Sequence, residues 1–352
     1  AKIRRMVRLF CGKQTTTMKT GDARTIMTKQ NAPAPLTSPL PVPPSTLGSS
    51  LRRTAQRLAD QRWLQLMAIP GVIWMVIFCY IPIYGISIAF LNYNIAKPMF
   101  AASFAGLSHF IEFFHDENFY LVMRNTLGIS LLKLVFGFPL PIVFALLLNE
   151  IRSQKIKRPV QTISYLPHFL SWAVLGAMMM SWLGEEGLVN GIAMALGLQS
   201  GPIAYLAEPG MFWTISVLSE VWKELGWNAI IYLAAIAGVD PELYESASLD
   251  GAGRIRKMWS ITLPSISGTI VLLLILNIAY MMGSNFDQIL ILTNQLNLDR
   301  SNTIDLYVYR MGIQAGRFSY STAIGVFRSV ISLILLLGAN TVSRRLTEKS
   351  LF

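Results

Sequence analysis

From residue 64 onward, apolar stretches of crossing length recur six times, near residues 64–90, 125–148, 165–183, 211–237, 265–283 and 321–342. About 20 consecutive apolar residues carry a helix across the hydrocarbon of a bilayer, where every backbone polar group must be satisfied within the segment. The pattern therefore predicts an all-α integral membrane protein with about six transmembrane helices. No internal repeat is visible, which counts against a carrier built from two related halves.

The segment before the first stretch is different in kind. Residues 31–50 carry six prolines in twenty positions with no apolar period, the mark of an extended, solvated linker, so residues 1–50 are expected to be a disordered cytoplasmic tail. The Arg-rich start is not followed closely by the apolar core of a secretory signal. Residues 51–63 (LRRTAQRLADQRW) predict a basic interfacial helix with Trp63 at headgroup level. Residues 64–352 then make the transmembrane domain.

Composition supports this division. The 352 residues are 53% hydrophobic and 14% charged, against about 25% charged for a soluble domain, with a mean hydropathy of +0.47. The formal charge of +11 is concentrated in the first 62 residues, which hold 12 of the 30 basic side chains and only Asp22 and Asp60 as acids. With the N-terminus placed inside, 22 basic residues fall in inside segments and 5 in outside loops. Lys and Arg are retained on the cytoplasmic side, so both termini are expected there. The charge then meets anionic membrane lipid, and no nucleic acid is called for. Cys11 and Cys79 fall in different phases and suggest no bridge, and His109, His115 and His168 have no metal-ligand spacing.

One inside loop, residues 238–264 (GVDPELYESASLDGAGRIRKMWSITLP), is too structured for a plain connection. Asp240 can cap a helix that has Pro241 at its first position and Glu242 in its first turn. Residues 250–253 (DGAG) break that helix, because glycine supplies the angles of a sharp turn. A second helix restarts at residue 254 and is expected to close at Pro264. Tyr244, Leu249, Met258 and Trp259 make this a knob shaped for another protein's cleft, although packing on its own bundle remains open on these residues alone.

Glu245, Ala247 and Gly251, with Ile261-Thr262-Leu263-Pro264 beyond them, resemble the EAA loop of binding-protein-dependent ABC importer permeases. Ser246 departs from the usual Ala. The resemblance covers roughly residues 63–352, and the segments 284–289, 303–310, 323–328 and 339–340 are similar to the carbohydrate subgroup that imports polysaccharide fragments. It implies a type I ABC importer permease architecture in a bacterial inner membrane and a subunit that does no chemistry. It further implies a second permease subunit, two ATPase subunits and a periplasmic solute-binding protein. Glu245, Ala247, Asp250, Gly251, Ala252 and Gly253 would then form the ATPase-coupling loop. The sequence itself has no G-x-x-x-x-G-K-[ST] loop and no G-x-S-x-G elbow. No cofactor is expected on this chain, and ATP and Mg would belong to the ATPase.

Charges inside spans are costly and face interiors or cavities. Glu220, Lys223 and Glu224 are spaced to neutralise one another on one helical face, whereas Lys133 and Arg328 have no local partner. On the fifth span Asn277, Tyr280 and Ser284 recur as a polar stripe that Asn285, Asp287 and Gln288 continue. A carbohydrate substrate needs such hydrogen-bonding groups and aromatic faces, but the residues alone leave the stripe open between a substrate pathway and hydrogen bonding to a partner permease's helix. The resemblance, in which the corresponding helix lines the translocation cavity, implies the substrate pathway, with Arg328 as a partner for the carboxylate if the ligand is a uronate. Trp172, Trp182, Trp213, Trp222 and Trp227 read as interfacial anchors. The alternatives are a permease for a smaller sugar or a sugar phosphate, and an ion-coupled carrier that uses Lys133, Glu220 and Arg328 without an ATPase.

Overall fold

The computed structural model describes residues 61–96, 98–283 and 285–347. The expected tail, residues 51–60 of the basic helix, and Ser284 lie outside the described residues. The chain divides into two units, Ala1–Pro70 and Gly71–Phe352. Within the first, the Arg62 guanidinium sits 5.8 Å from the centre of the Trp63 ring.

Helix α1 (Arg62–Met75) runs on through a π turn at Val76–Tyr80 and a 3-10 turn at Tyr84–Phe90. Its large apolar side chains are exposed around the whole circumference, as suits a helix whose solvent is lipid. A two-residue antiparallel pairing of Leu91–Asn92 with Ser103–Phe104 follows. Then come α2 (Ser108–His115), α3 (Phe119–Gly137), α4 (Pro139–Glu150), α5 (Gln154–Tyr165), α6 (Trp172–Trp182) and α7 (Leu188–Ala195). The remainder is α8 (Phe212–Ala237), α9 (Pro241–Leu249), α10 (Arg254–Lys257), α11 (Ser267–Ala279), α12 (Phe286–Leu292), α13 (Ile304–Tyr309) and α14 (Phe318–Thr347).

Among the described residues, three stretches are long and apolar enough to cross a membrane: Gln65–Phe90, Phe119–Glu150 and Phe318–Arg345. Two more qualify only as bent pairs, Gln154–Phe169 with Trp172–Trp182 at 100° and Arg254–Ser265 with Ser267–Met282 at 63°. Helix α8 has 26 residues, but Glu220, Lys223 and Glu224 interrupt its apolar run.

The straight span expected at 165–183 is thus broken. Leu170 (ψ 134°) and Ser171 (ψ 151°) are extended, and the Ser171 hydroxyl caps α6 by accepting the Val174 N–H at 3.3 Å. Apolar character alone does not reveal such a corner, because serine caps a helix as readily inside an apolar run as outside it. Pro264 also differs from expectation. The helix does not close there: it passes through a π turn at Met258–Thr262, continues to Ser265 and bends at Ile266. Proline lacks the N–H that a regular turn would use, and a widened turn absorbs that loss.

Three buried clusters hold the second unit together. Ile129, Trp172, Leu175, Phe212, Ile289 and Leu306 join α3, α6, α8, α12 and α13. Phe113, Val122, Ile304, Tyr307, Tyr320 and Ile324 join α2, α3, α13 and α14. Ile142, Ala145, Ala229, Tyr232, Ile236 and Ile266 pack α4 and α8 against the residue that leads into α11. Beside the second cluster, Asp116 accepts hydrogen bonds from the Tyr307 and Tyr320 hydroxyls and, at 2.8 Å, from the Asn118 backbone N–H. Partial burial raises the Asp116 pKa, but these donors outweigh it and the carboxyl titrates below its usual range.

Candidate functional site

The loop after α8 is a rigid helix–turn–helix. The Asp240 carboxylate accepts the Glu242 N–H at 3.0 Å, and Pro241 opens α9. At the other end Gly251 adopts φ +74°. The Ala252 N–H reaches back to the Ala247 carbonyl at 2.9 Å, and the Gly251 N–H to that of Ser248 at 3.1 Å. This pair of bonds is a Schellman closure, which needs a left-handed residue where glycine stands. Gly253 then caps α10 in an extended conformation. The two arms are cross-braced by Tyr244 and Thr262, whose hydroxyls lie 2.9 Å apart, and by Lys257 donating to Ser248. Glu245, Asp250 and Gly251 are exposed, Ala247 and Ala252 are half-buried, and Leu249, Ile255 and Trp259 project apolar surface outward.

Helices α8 and α11 leave this loop and together line a cavity of about 190 Å³. Its wall includes Lys133, Glu220, Glu224, Asn228, Asn277 and Tyr280. Lys133 on α3 forms an ion pair with Glu220 on α8 and donates to Gln288 Oε1 at 3.1 Å. Gln288 is buried and is itself fixed by donating to the Ser216 carbonyl at 2.7 Å and to Ser219 Oγ at 2.8 Å. One turn further along α8, Lys223 donates to the His168 carbonyl at 2.7 Å and pairs with Glu224 at 3.1 Å. Glu224 also holds the His168 ring at 2.7 Å, and that ring stacks on Trp227 with centroids 4.2 Å apart. Phe169, Trp227 and Tyr280 expose aromatic surface near these groups.

Residues 137–348, which carry the loop and most of the cavity wall, match the family of the binding-protein-dependent transport system inner membrane component. The chain belongs to that family. This permease is 41% identical over 296 residues to the protein LplB of Bacillus subtilis, covering 84% of this chain and 92% of the relative. It is equally 41% identical over 302 residues to YteP of the same organism, a polygalacturonan/rhamnogalacturonan transport system permease. A crystal structure of a bacterial ABC transporter that imports the acidic polysaccharide alginate contains a chain that superposes with a TM-score of 0.77 at 37% identity, covering 84% of this permease and 99% of that chain. The permease is accordingly a multi-pass, non-catalytic membrane component of sugar and polysaccharide ABC importers.

The permease does not unite all the residues assigned to the stripe. Asn277 and Tyr280 reach the cavity, but α11 ends at Ala279 and a 3-10 turn at Tyr280–Met282 precedes the break at Gly283. The helical phase is lost there, so Asp287 is exposed on α12 and Asn285 precedes that helix, both outside the cavity wall. Arg328 is paired with Asp305 on α13. Glu220 and Lys223 do not pair with each other: Glu220 turns to Lys133, and Lys223 is buried against the loop that holds His168. Trp172 is a core residue 5.7 Å from the Lys223 ammonium, and Trp213 donates to the Arg300 carbonyl at 2.9 Å. His168 and Phe169 were not singled out for the pathway from sequence, and Gln288 entered only as the outer continuation of the stripe, whereas it is buried on α12 beneath Lys133. Only their polarity or aromaticity inside an apolar run marks them, and the corner at Leu170 that aims two of them has no signature of its own.

Proposed function

We propose that this permease pairs with a second permease subunit to form the pathway of an ATP-driven importer in a bacterial inner membrane. The importer passes an oligosaccharide or polysaccharide of the acidic, uronate-rich kind, alginate among them, from a periplasmic solute-binding protein to the cytoplasm. The observation that carries this reading is the match, over 84% of the chain, to an importer of the acidic polysaccharide alginate. Its support is the relative named for polygalacturonan and a second structure of the alginate importer in complex with a pentasaccharide-bound periplasmic protein.

The coupling mechanism follows from the loop. Its exposed Leu249, Ile255 and Trp259 offer an apolar footing for an ATPase subunit, with Glu245 and Asp250 beside it. ATP and Mg are held by that partner. The capped and braced loop cannot absorb a push by flexing, so closure of the ATPase pair moves α8 and α11 as bodies and reshapes the cavity they share. Six crossings with both termini cytoplasmic fit the distribution of basic residues. Helix α8 counts as one of them, since its 26 residues extend about 39 Å.

Glycan-stimulated ATP hydrolysis by the reconstituted complex tests the proposal. Uronate oligosaccharides are expected to stimulate, and a neutral disaccharide or glycerol phosphate is not. A smaller solute is the second reading, favoured by relatives 29% identical that are named for sn-glycerol-3-phosphate; stimulation by glycerol phosphate alone would select it. An ion-coupled carrier would instead show no ATPase on purification and uptake indifferent to Glu245→Arg and Gly251→Arg.

A further inference from the structure

The Lys133 ammonium has three N–H donors, of which Glu220 takes one and Gln288 Oε1, at 3.1 Å, another. The third is left for the cavity that Lys133 lines. Glu220 meets Lys133 through Oε2, which leaves its Oε1 to the same cavity. Neither side chain can wander, because Gln288 pins the ammonium and is fully buried between α8 and α12. A donor and an acceptor therefore stand side by side in a wall that also presents Asn228, Asn277 and the Tyr280 ring.

We infer that the Lys133–Glu220 pair reads a vicinal diol of a pyranose, the ammonium donating to one hydroxyl oxygen and Glu220 Oε1 accepting from the neighbouring hydroxyl. The inference rests on the cavity being part of the glycan pathway. Charge separates a diol from the carboxylate of a uronate. The wall holds the carboxylates of Glu220 and Glu224, each already answered by an ammonium, Glu220 by Lys133 and Glu224 by Lys223, which is buried and also donates to the His168 carbonyl. A ligand carboxylate placed there meets two like charges and a cation that is already neutralised. A neutral diol meets a neutral donor–acceptor pair. The pair thus grips the sugar ring that acidic and neutral glycans have in common, and discrimination for acidity resides elsewhere.

The test uses the membrane complex of both permeases and the ATPases in nanodiscs, with binding measured by calorimetry. Three probes are compared: a 1,4-linked uronate trisaccharide, its carboxyl-reduced neutral counterpart, and the same uronate after periodate cleavage and borohydride reduction. The last keeps its carboxylates and loses the C2–C3 diols. Diol reading gives the first two affinities within about threefold of each other and weakens the third by about tenfold, the scale of one lost charge-assisted hydrogen bond. The variant Lys133→Met/Glu220→Met, which leaves no unpaired charge, is expected to weaken the first two probes alike, by about tenfold. The inference is overturned if the neutral trisaccharide fails to bind where the uronate binds, if the cleaved probe binds as well as the intact one, or if the double variant changes nothing. The first two outcomes need no variant, so a folding defect in the double variant does not shield the claim. Failure of all three probes to bind the unaltered complex would instead remove the cavity from the pathway altogether.

Discussion

Gly226 on α8 faces Ser164 on α5 so closely that a Cβ at position 226 would stand 2.2 Å from the Ser164 carbonyl oxygen. The backbones meet there because one of them has no side chain, and the contact holds α5 against α8 just before the corner that presents His168 and Phe169. Gly226→Leu is expected to separate the two helices at a cost of several kcal/mol, beyond the about 1–3 kcal/mol of ordinary overpacking, since backbone rather than a flexible side chain must move. The thermal unfolding midpoint in detergent should fall sharply. An unchanged midpoint would show that α5 is free to move away.

Gly251 tests the loop. A Cβ there meets nothing within 4 Å, so any effect of substitution comes from the φ of +74° alone. Gly251→Val should cost about 1–2 kcal/mol locally and weaken co-purification of the ATPase, and Gly251→Asn, which tolerates the left-handed region better, should restore much of it. Equal behaviour of the two variants would argue against the Schellman closure as the element that docks.

Tyr244→Phe removes the 2.9 Å contact with Thr262 and leaves the fold intact, at about 1 kcal/mol. The arms of the loop lose a brace but not their surface. ATPase binding is therefore expected to persist while more ATP is hydrolysed per glycan imported, a ratio read from parallel uptake and phosphate-release assays.

The Asp116 carboxyl titrates below the usual value of 3.8 in the folded chain. Burial acts against that shift, and the Tyr307, Tyr320 and Asn118 donors overcome it. A carboxyl with a depressed folded pKa contributes stability that is complete above its unfolded value and disappears as pH falls through the folded one. Unfolding midpoints of the unaltered chain should therefore hold steady down to about pH 4 and decline below it. Asp116→Asn should be less stable at pH 6 and lack that particular decline.

The loop was legible in the sequence almost residue by residue, because Asp240, Pro241 and Gly251 act on their own backbone and local chemistry has local signatures. The apolar stretches were legible as stretches. What escaped was geometry set at a distance. The bend at Leu170 and Ser171 hides in an apolar run, and the partner of Lys133 lies 87 residues away on another helix. The interruption at Gly283 turned a stripe drawn on one helix into residues on two. The Glu220, Lys223 and Glu224 spacing invited self-pairing, and Lys223 does pair with Glu224, but Glu220 is answered from another helix by Lys133.

The pairing of charges has an electrical consequence. A unit charge carried across a membrane potential gains or loses about 2.3 kcal/mol per 100 mV. Here Lys133 travels with Glu220, Lys223 with Glu224 and Arg328 with Asp305, so helices that swing with these pairs intact displace almost no net charge along the field. The voltage across the membrane then does little work on the swing of these helices, and the carboxylates of an acidic cargo, rather than these pairs, would carry the voltage dependence of the cycle.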